Sequence, residues 1–119
     1  MSEIKDAKLA PSGRRKIDWV KDHMPVLGSI REDFKRTKPF KGMKVALSVH
    51  MEAKTAYLAT VIKDGGADVF ATGSNPLSTQ DDVAAGLASR GVEVFAKHGA
   101  SPGEYQRHLS KVLEIGPDI

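Results

Sequence analysis

The chain has 119 residues, with 18 Lys and Arg against 15 Asp and Glu and a formal charge of +3, a length that suits one domain and excludes two. It contains no Cys, which excludes a disulfide framework, a thiolate nucleophile and a Cys-ligated zinc site. Apolar residues at 40% and charged residues at 28% are near globular averages and exclude a disordered chain.

The first 16 residues hold seven charges, Glu3, Lys5, Asp6, Lys8, Arg14, Arg15 and Lys16, and no apolar core. They read as a flexible N-terminal segment without a secretory signal, which makes the cytoplasm the expected location. From Ile17 to Phe34, apolar residues recur at Ile17, Val20, Met24, Leu27, Ile30 and Phe34, the spacing of one helical face. Pro25 lacks an amide donor and clashes with the preceding turn, so two short helices or one kinked helix are expected, broken near His23 to Pro25. Lys38-Pro39-Phe40-Lys41-Gly42 ends this part.

Met43 to Val49 reads as a buried strand, Glu52 to Lys63 as a helix stopped by Gly65-Gly66, and Asp68 to Thr72 as a second strand. Gly73-Ser74-Asn75-Pro76 is a loop, after which Ser78 and Asp81 have the spacing of a capping box for a helix through Ser89. Val92, Val94 and Ala96 mark a third strand, Gly99 to Gly103 a loop, and Tyr105 to Leu113 a third helix with Tyr105, Leu109, Val112 and Leu113 inward. Pro117-Asp118-Ile119 reads as the first step of a fourth strand, so the domain is expected to continue beyond Ile119.

Strands alternating with helices imply an α/β three-layer sandwich with a parallel, Rossmann-like or flavodoxin-like sheet, preceded by an N-terminal helical segment. In such sheets the ligand cleft lies beyond the carboxyl ends of the strands, which points to His50–Thr55 and Gly73–Gln80, with His98–Gly103 as a further candidate. The longest uncharged run, Val69 to Gln80, has 12 residues, too few to span a membrane. Basic and acidic residues alternate along the chain, which argues against nucleic acid as a partner. His23, His50, His98 and His108 lack metal-ligand spacing, so no metal is expected, and all but His50 are expected at the surface. No GxGxxG, GxxxxGK[ST], HExxH or GxSxG occurs.

Two strings rise above this background: His50-Met51-Glu52-Ala53-Lys54-Thr55-Ala56, and Gly73-Ser74-Asn75-Pro76-Leu77-Ser78-Thr79-Gln80-Asp81-Asp82. Together they resemble the substrate-binding part of the S-adenosylhomocysteine hydrolase (adenosylhomocysteinase) family. There, one strand ends in an HM or HL dipeptide followed by Thr-Ala, and the next ends in N-x-x-S-T-Q-D. Trp19, Met24-Pro25, Lys38-Pro39 with Gly42, and Gly91 to Ala96 also have counterparts, so the resemblance covers roughly Ile17 to Ile119.

The resemblance implies a cytoplasmic, tetrameric enzyme of the methyl cycle. It splits S-adenosylhomocysteine reversibly into adenosine and homocysteine through NAD-dependent oxidation of the ribose, elimination and addition of water. Residues 17–119 would be the N-terminal part of its substrate-binding domain. The family's D-D-G-G-D run, its later catalytic residues and its NAD-binding domain would lie after Ile119, and the 119 residues alone would be inactive. Residue by residue, the resemblance assigns His50 to the sugar and to proton handling and Glu52, Lys54 and Thr55 to the purine. It assigns Asn75, Ser78, Thr79 and Gln80 to the neighbouring wall.

Glu52 and Lys54 depart from the Thr and Glu or Gln of many members. Lys54 only donates and ionised Glu52 only accepts, a pair that suits the 6-oxo group and N1–H of hypoxanthine, although adenine can also satisfy both. S-inosylhomocysteine is therefore an alternative substrate, and a non-catalytic nucleoside-binding or assembly module is a second alternative. If the segment leaves the strand extended, His50, Glu52 and Lys54 share one side; if the helix starts at Glu52, they do not.

Overall fold

The computed structural model describes residues 1–119. A 3-10 turn at Ala7–Leu9 leads into α1 (Ala10–His23) and α2 (Pro25–Thr37), followed by β1 (Lys44–Val49), α3 (Ala53–Asp64), β2 (Asp68–Gly73), α4 (Asp81–Ser89), β3 (Glu93–Phe95) and α5 (Pro102–Glu114). The break between α1 and α2 falls at Met24, whose φ of −127° and ψ of 71° leave the helical region just before Pro25 starts α2. This is where a missing amide and a ring clash with the preceding turn require it. No helix is long and apolar enough to cross a membrane.

The sheet has the order β1-β2-β3 and is parallel throughout, with Val45 beside Val69, Leu47 beside Ala71 and Ala71 beside Val94. The α/β sandwich is as expected. Helices α3 and α4 pack on each other and on α1, while α5 packs on all three strands; right-handed crossovers place α5 on the opposite face. Val45, Val69, Ala71 and Val94 meet Ala56, Tyr57, Val61, Val83, Ala84 and Leu87 in a core that Ile17 and Val20 of α1 complete. Thr72 is also fully buried, and its hydroxyl donates to the Phe95 carbonyl at 2.8 Å.

Three expectations need correction. Residues 1–16 do not form a flexible segment: Glu3 N–H donates to Val94 O at 2.8 Å and Ala96 N–H to Glu3 O at 3.1 Å, and Ala10 and Gly13 are buried. Their many charges misled because Glu3, Arg14 and Lys16 have partners on α5 and α4. The Ser78–Asp81 capping box does not form. The backbone is extended at Gln80 (φ −95°, ψ 111°), held by Gln80 N–H to Met51 O at 2.9 Å, and α4 begins two residues later than that box requires. The boxes that do form are Glu52 with Thr55 and Ser101 with Glu104.

Third, His108 is 1% exposed rather than superficial, whereas Leu113, expected inward, is 67% exposed. The inward side of α5 is set by His108 and Val112, four residues apart. Burial holds the His108 imidazole below its usual value, against the pull of the Glu3 carboxylate 3.9 Å from Nε2. A depressed imidazole contributes stability that is present above its unfolded value near 6.5 and is lost as pH falls through the folded one. The thermal midpoint should therefore fall between pH 7 and pH 5.5. In His108→Gln this slope should flatten, and an unchanged slope would refute the assignment. Glu3, lowered chiefly by its hydrogen bond from Arg107, acts only in the carboxylate range below this window.

Candidate functional site

From β1 through α3, β2 and α4 to β3, the chain steps to one side of the sheet. After α5 it returns to the free edge of β1, where Asp118 N–H donates to Lys44 O at 2.8 Å and Ala46 N–H to Ile119 O at 2.9 Å. The connections on the two sides of β1 thus run over opposite faces. The carboxyl end of β1 lies at this switch point, the place where open α/β sheets receive ligands. His50 is the first residue beyond that end, and it is exposed.

Backbone bonds draw the second loop against His50. Ser74 N–H donates to Val49 O at 2.9 Å, and Tyr105 OH donates to Ser74 O at 2.8 Å from α5. Ser74 Oγ and Asn75 Nδ2 each stand 3.4 Å from His50 Nδ1. Asn75 Oδ1 accepts from Leu77 N–H and Ser78 N–H, both at 2.9 Å, an Asx turn that holds the loop in shape. Gly73 is buried where a Cβ would meet Thr79 Oγ1 at 3.0 Å and Asn75 O at 3.3 Å, so a larger residue would press on this turn.

Glu52 lies between the two geometries that the sequence leaves open. It is extended (φ −134°, ψ 178°), but as the N-cap of α3 its carboxylate accepts from Thr55 N–H at 3.0 Å. Thr55 Oγ1 donates to the His50 carbonyl. Glu52 and Thr55 thereby brace the turn that carries His50. Lys54, on the first turn of α3, does not continue a strand alternation with them; it is exposed and borders an open depression of about 290 Å³ with Trp19, Val20, His23 and Met24 of the α1 end.

The remaining wall residues divide. Thr79 is buried and its carbonyl meets His98 Nδ1 at 3.2 Å, and Ser78 Oγ is buried without a hydrogen-bond partner. Gln80 turns away toward α1, where Lys16 Nζ donates to its Oε1 at 3.2 Å. Lys16 also pairs with Asp82 at 2.9 Å. Burial works to raise the Asp82 carboxyl, but the hydrogen bonds from Lys16 and Ser12 prevail and hold it below the usual range. The structure thus gathers His50, Asn75, Glu52 and Thr55 around one turn, sets Ser78 and Thr79 behind it, and places Lys54 and Gln80 apart. Ser74 and Tyr105 were not assigned to the site from the sequence. The signal for Tyr105 was its hydroxyl, which needs a partner wherever the ring is partly buried.

The family model for S-adenosyl-L-homocysteine hydrolase matches residues 1–119, the whole chain. An S-inosyl-L-homocysteine hydrolase of Methanococcus maripaludis is 53% identical over 119 residues, all of this chain and 29% of the relative. An adenosylhomocysteinase of Pyrococcus abyssi is 53% identical over 116 residues, 98% of this chain and 28% of the relative. An S-inosyl-L-homocysteine hydrolase of Methanosarcina mazei is 50% identical over 115 residues, 96% of this chain and 28% of that protein. The chain therefore spans less than a third of the length of these curated relatives. With a model match from the first residue to the last, it belongs to the S-adenosyl-L-homocysteine hydrolase family.

Proposed function

We propose that these residues form the substrate-binding portion of an enzyme that reversibly splits an S-nucleosyl-homocysteine thioether into a purine nucleoside and homocysteine. The observation that carries this reading is the position of His50 at the switch point, with Asn75 against its ring. His50 serves the sugar end of the substrate, Thr55 and Glu52 fix its turn, and Asn75, Ser78 and Thr79 form the adjoining wall. Gln80 contributes through its backbone, because its side chain is engaged by Lys16.

NAD, which the family resemblance implies, would supply the redox chemistry at the ribose, but these residues do not fit it. A dinucleotide pyrophosphate needs a glycine-lined turn and free amides at a helix N-terminus. The turn after β1 is His50-Met51-Glu52, and the Glu52 carboxylate already occupies the start of α3. In this reading the cofactor is held outside residues 1–119, the full-length enzyme is a cytoplasmic homotetramer, and the activity belongs to the longer protein.

Lys54 favours hypoxanthine as the base. It carries the only ammonium bordering the depression beside α1, and an ammonium donates to a 6-oxo group but cannot accept from a 6-amino group. The names of two of the three relatives above specify S-inosyl-L-homocysteine. In the synthetic direction, the full-length enzyme should use inosine at least as well as adenosine. Lys54→Gln should shift the inosine-to-adenosine ratio of kcat/KM toward adenosine by about tenfold, the worth of one charged hydrogen bond. An unchanged ratio would remove Lys54 from base recognition.

A further inference from the structure

We propose that Asn75 fixes the tautomer of His50, so that the neutral imidazole carries its proton on Nε2 and meets its ligand as a hydrogen-bond donor. The orientation of the Asn75 amide is determined by its own backbone. Oδ1 accepts two amides at 2.9 Å, Leu77 N–H and Ser78 N–H, and the nitrogen end cannot take that place because it has no lone pair to offer. Nδ2 is therefore the atom that faces His50 Nδ1 at 3.4 Å.

An amide nitrogen only donates, so Nδ1 must accept and the proton of the neutral ring lies on Nε2. Ser74 Oγ, also 3.4 Å from Nδ1, is compatible with either state because a hydroxyl can donate or accept. Asn75 thus makes the choice between tautomers and Ser74 follows. Both contacts are held from behind: Ser74 by Val49 O and Tyr105 OH, and the His50 carbonyl by Thr55.

The consequence concerns the kind of atom His50 can serve. Its Nε2 makes none of the ring's hydrogen bonds within the chain, and the residue is exposed at the switch point. With Nδ1 accepting, Nε2–H presents a donor to the cleft and binds an oxygen lone pair, such as that of a sugar hydroxyl. Asn75 is a positioning residue in this scheme. The tautomer assignment stands on geometry alone, and only its consequence for turnover rests on the reading of His50 under Proposed function.

The test separates these two parts. Asn75→Asp keeps an oxygen for the Leu77 and Ser78 amides but turns the atom facing Nδ1 into an acceptor, so the proton should move to Nδ1. With ring-15N-labelled histidine in the 119-residue chain, at alkaline pH where imidazole is neutral, two-bond 1H–15N correlations read the tautomer directly. Wild type and Ser74→Ala should show Nε2–H, and Asn75→Asp should show Nδ1–H. Nδ1–H in the wild type, or no change in Asn75→Asp, overturns the proposal.

In the full-length enzyme, Asn75→Asp and Asn75→Ala should both lower kcat/KM by about tenfold or more, as expected for a lost donor in a site. A purely loop-supporting Asn75 would instead leave the Asp variant near wild type and the Ala variant impaired. That pattern, combined with the tautomer change, would retain the assignment and overturn the role of His50 toward substrate.

Discussion

Gly13→Ala is expected to destabilise the protein by about 3 kcal/mol and to lower its thermal midpoint by about 10 °C, although it adds a single methyl group. Helices α1 and α4 make the most extensive helix contact in the molecule, and they meet at Gly13 and Gly86. A Cβ on Gly13 would lie 1.7 Å from the Asp82 carbonyl oxygen, and one on Gly86 would lie 2.7 Å from Arg14 N and Gly13 C. The obstacles are backbone atoms, which cannot swing aside as a side-chain end can. The helices must separate, and with them go the Ser12 and Lys16 contacts to Asp82 and the sealing of the core by Ile17 and Val20.

Gly103→Ala is the internal comparison. That glycine also lies in a helix, α5, but nothing stands within 4 Å of its added Cβ. The substitution should be neutral or stabilising by up to about 1 kcal/mol, because glycine is the costlier residue in a helix. Urea or thermal unfolding of the two variants checks the contrast. A Gly13→Ala protein within about 0.5 kcal/mol of the parent would mean that α1 does not pack on α4 this closely.

The second large effect is catalytic. His50→Ala should lower kcat of the full-length enzyme by about a hundredfold or more, the scale on which a positioned imidazole acts in proton handling and oxygen binding. Stability should change by no more than about 0.5 kcal/mol. The reason for the separation is that the His50 side chain is exposed, while the backbone of its turn is held independently, by Thr55 on its carbonyl and by Ser74 N–H on Val49. Thiol release in the hydrolytic direction and the thermal midpoint measure the two quantities. A loss of activity that only follows a loss of stability, or activity within about threefold of wild type, would take His50 out of the reacting centre.

Much of the molecule follows from local physics and is legible in the sequence. Pro25 sets the break between α1 and α2, because a missing amide and a ring clash act on the immediate neighbours. Valines and alanines in short runs, followed by helical periods and glycines, specify the βαβαβ order, and right-handed crossovers leave little freedom in how it closes. The two loops at the carboxyl ends of the strands could therefore be named as the candidate site, and the structure brings His50 and Asn75 of these loops together.

Other features depend on groups far apart in the chain, which no local pattern encodes. Glu3 bridges to the edge of β3 and forms its ion pair with Arg107, more than a hundred residues away, so a charged N-terminus that reads as solvated is tied to the sheet by a β-bridge at this one residue. His108 is buried because α5 turns it inward beneath that edge. Ser78 forms no cap because Met51, on another loop, takes the Gln80 amide and keeps the chain extended. Which way the Asn75 amide points, and so which nitrogen of His50 holds the proton, was decided only when β1 and β2 brought their loops within hydrogen-bond reach, since hydrogen bonds depend on distance and direction rather than on sequence spacing.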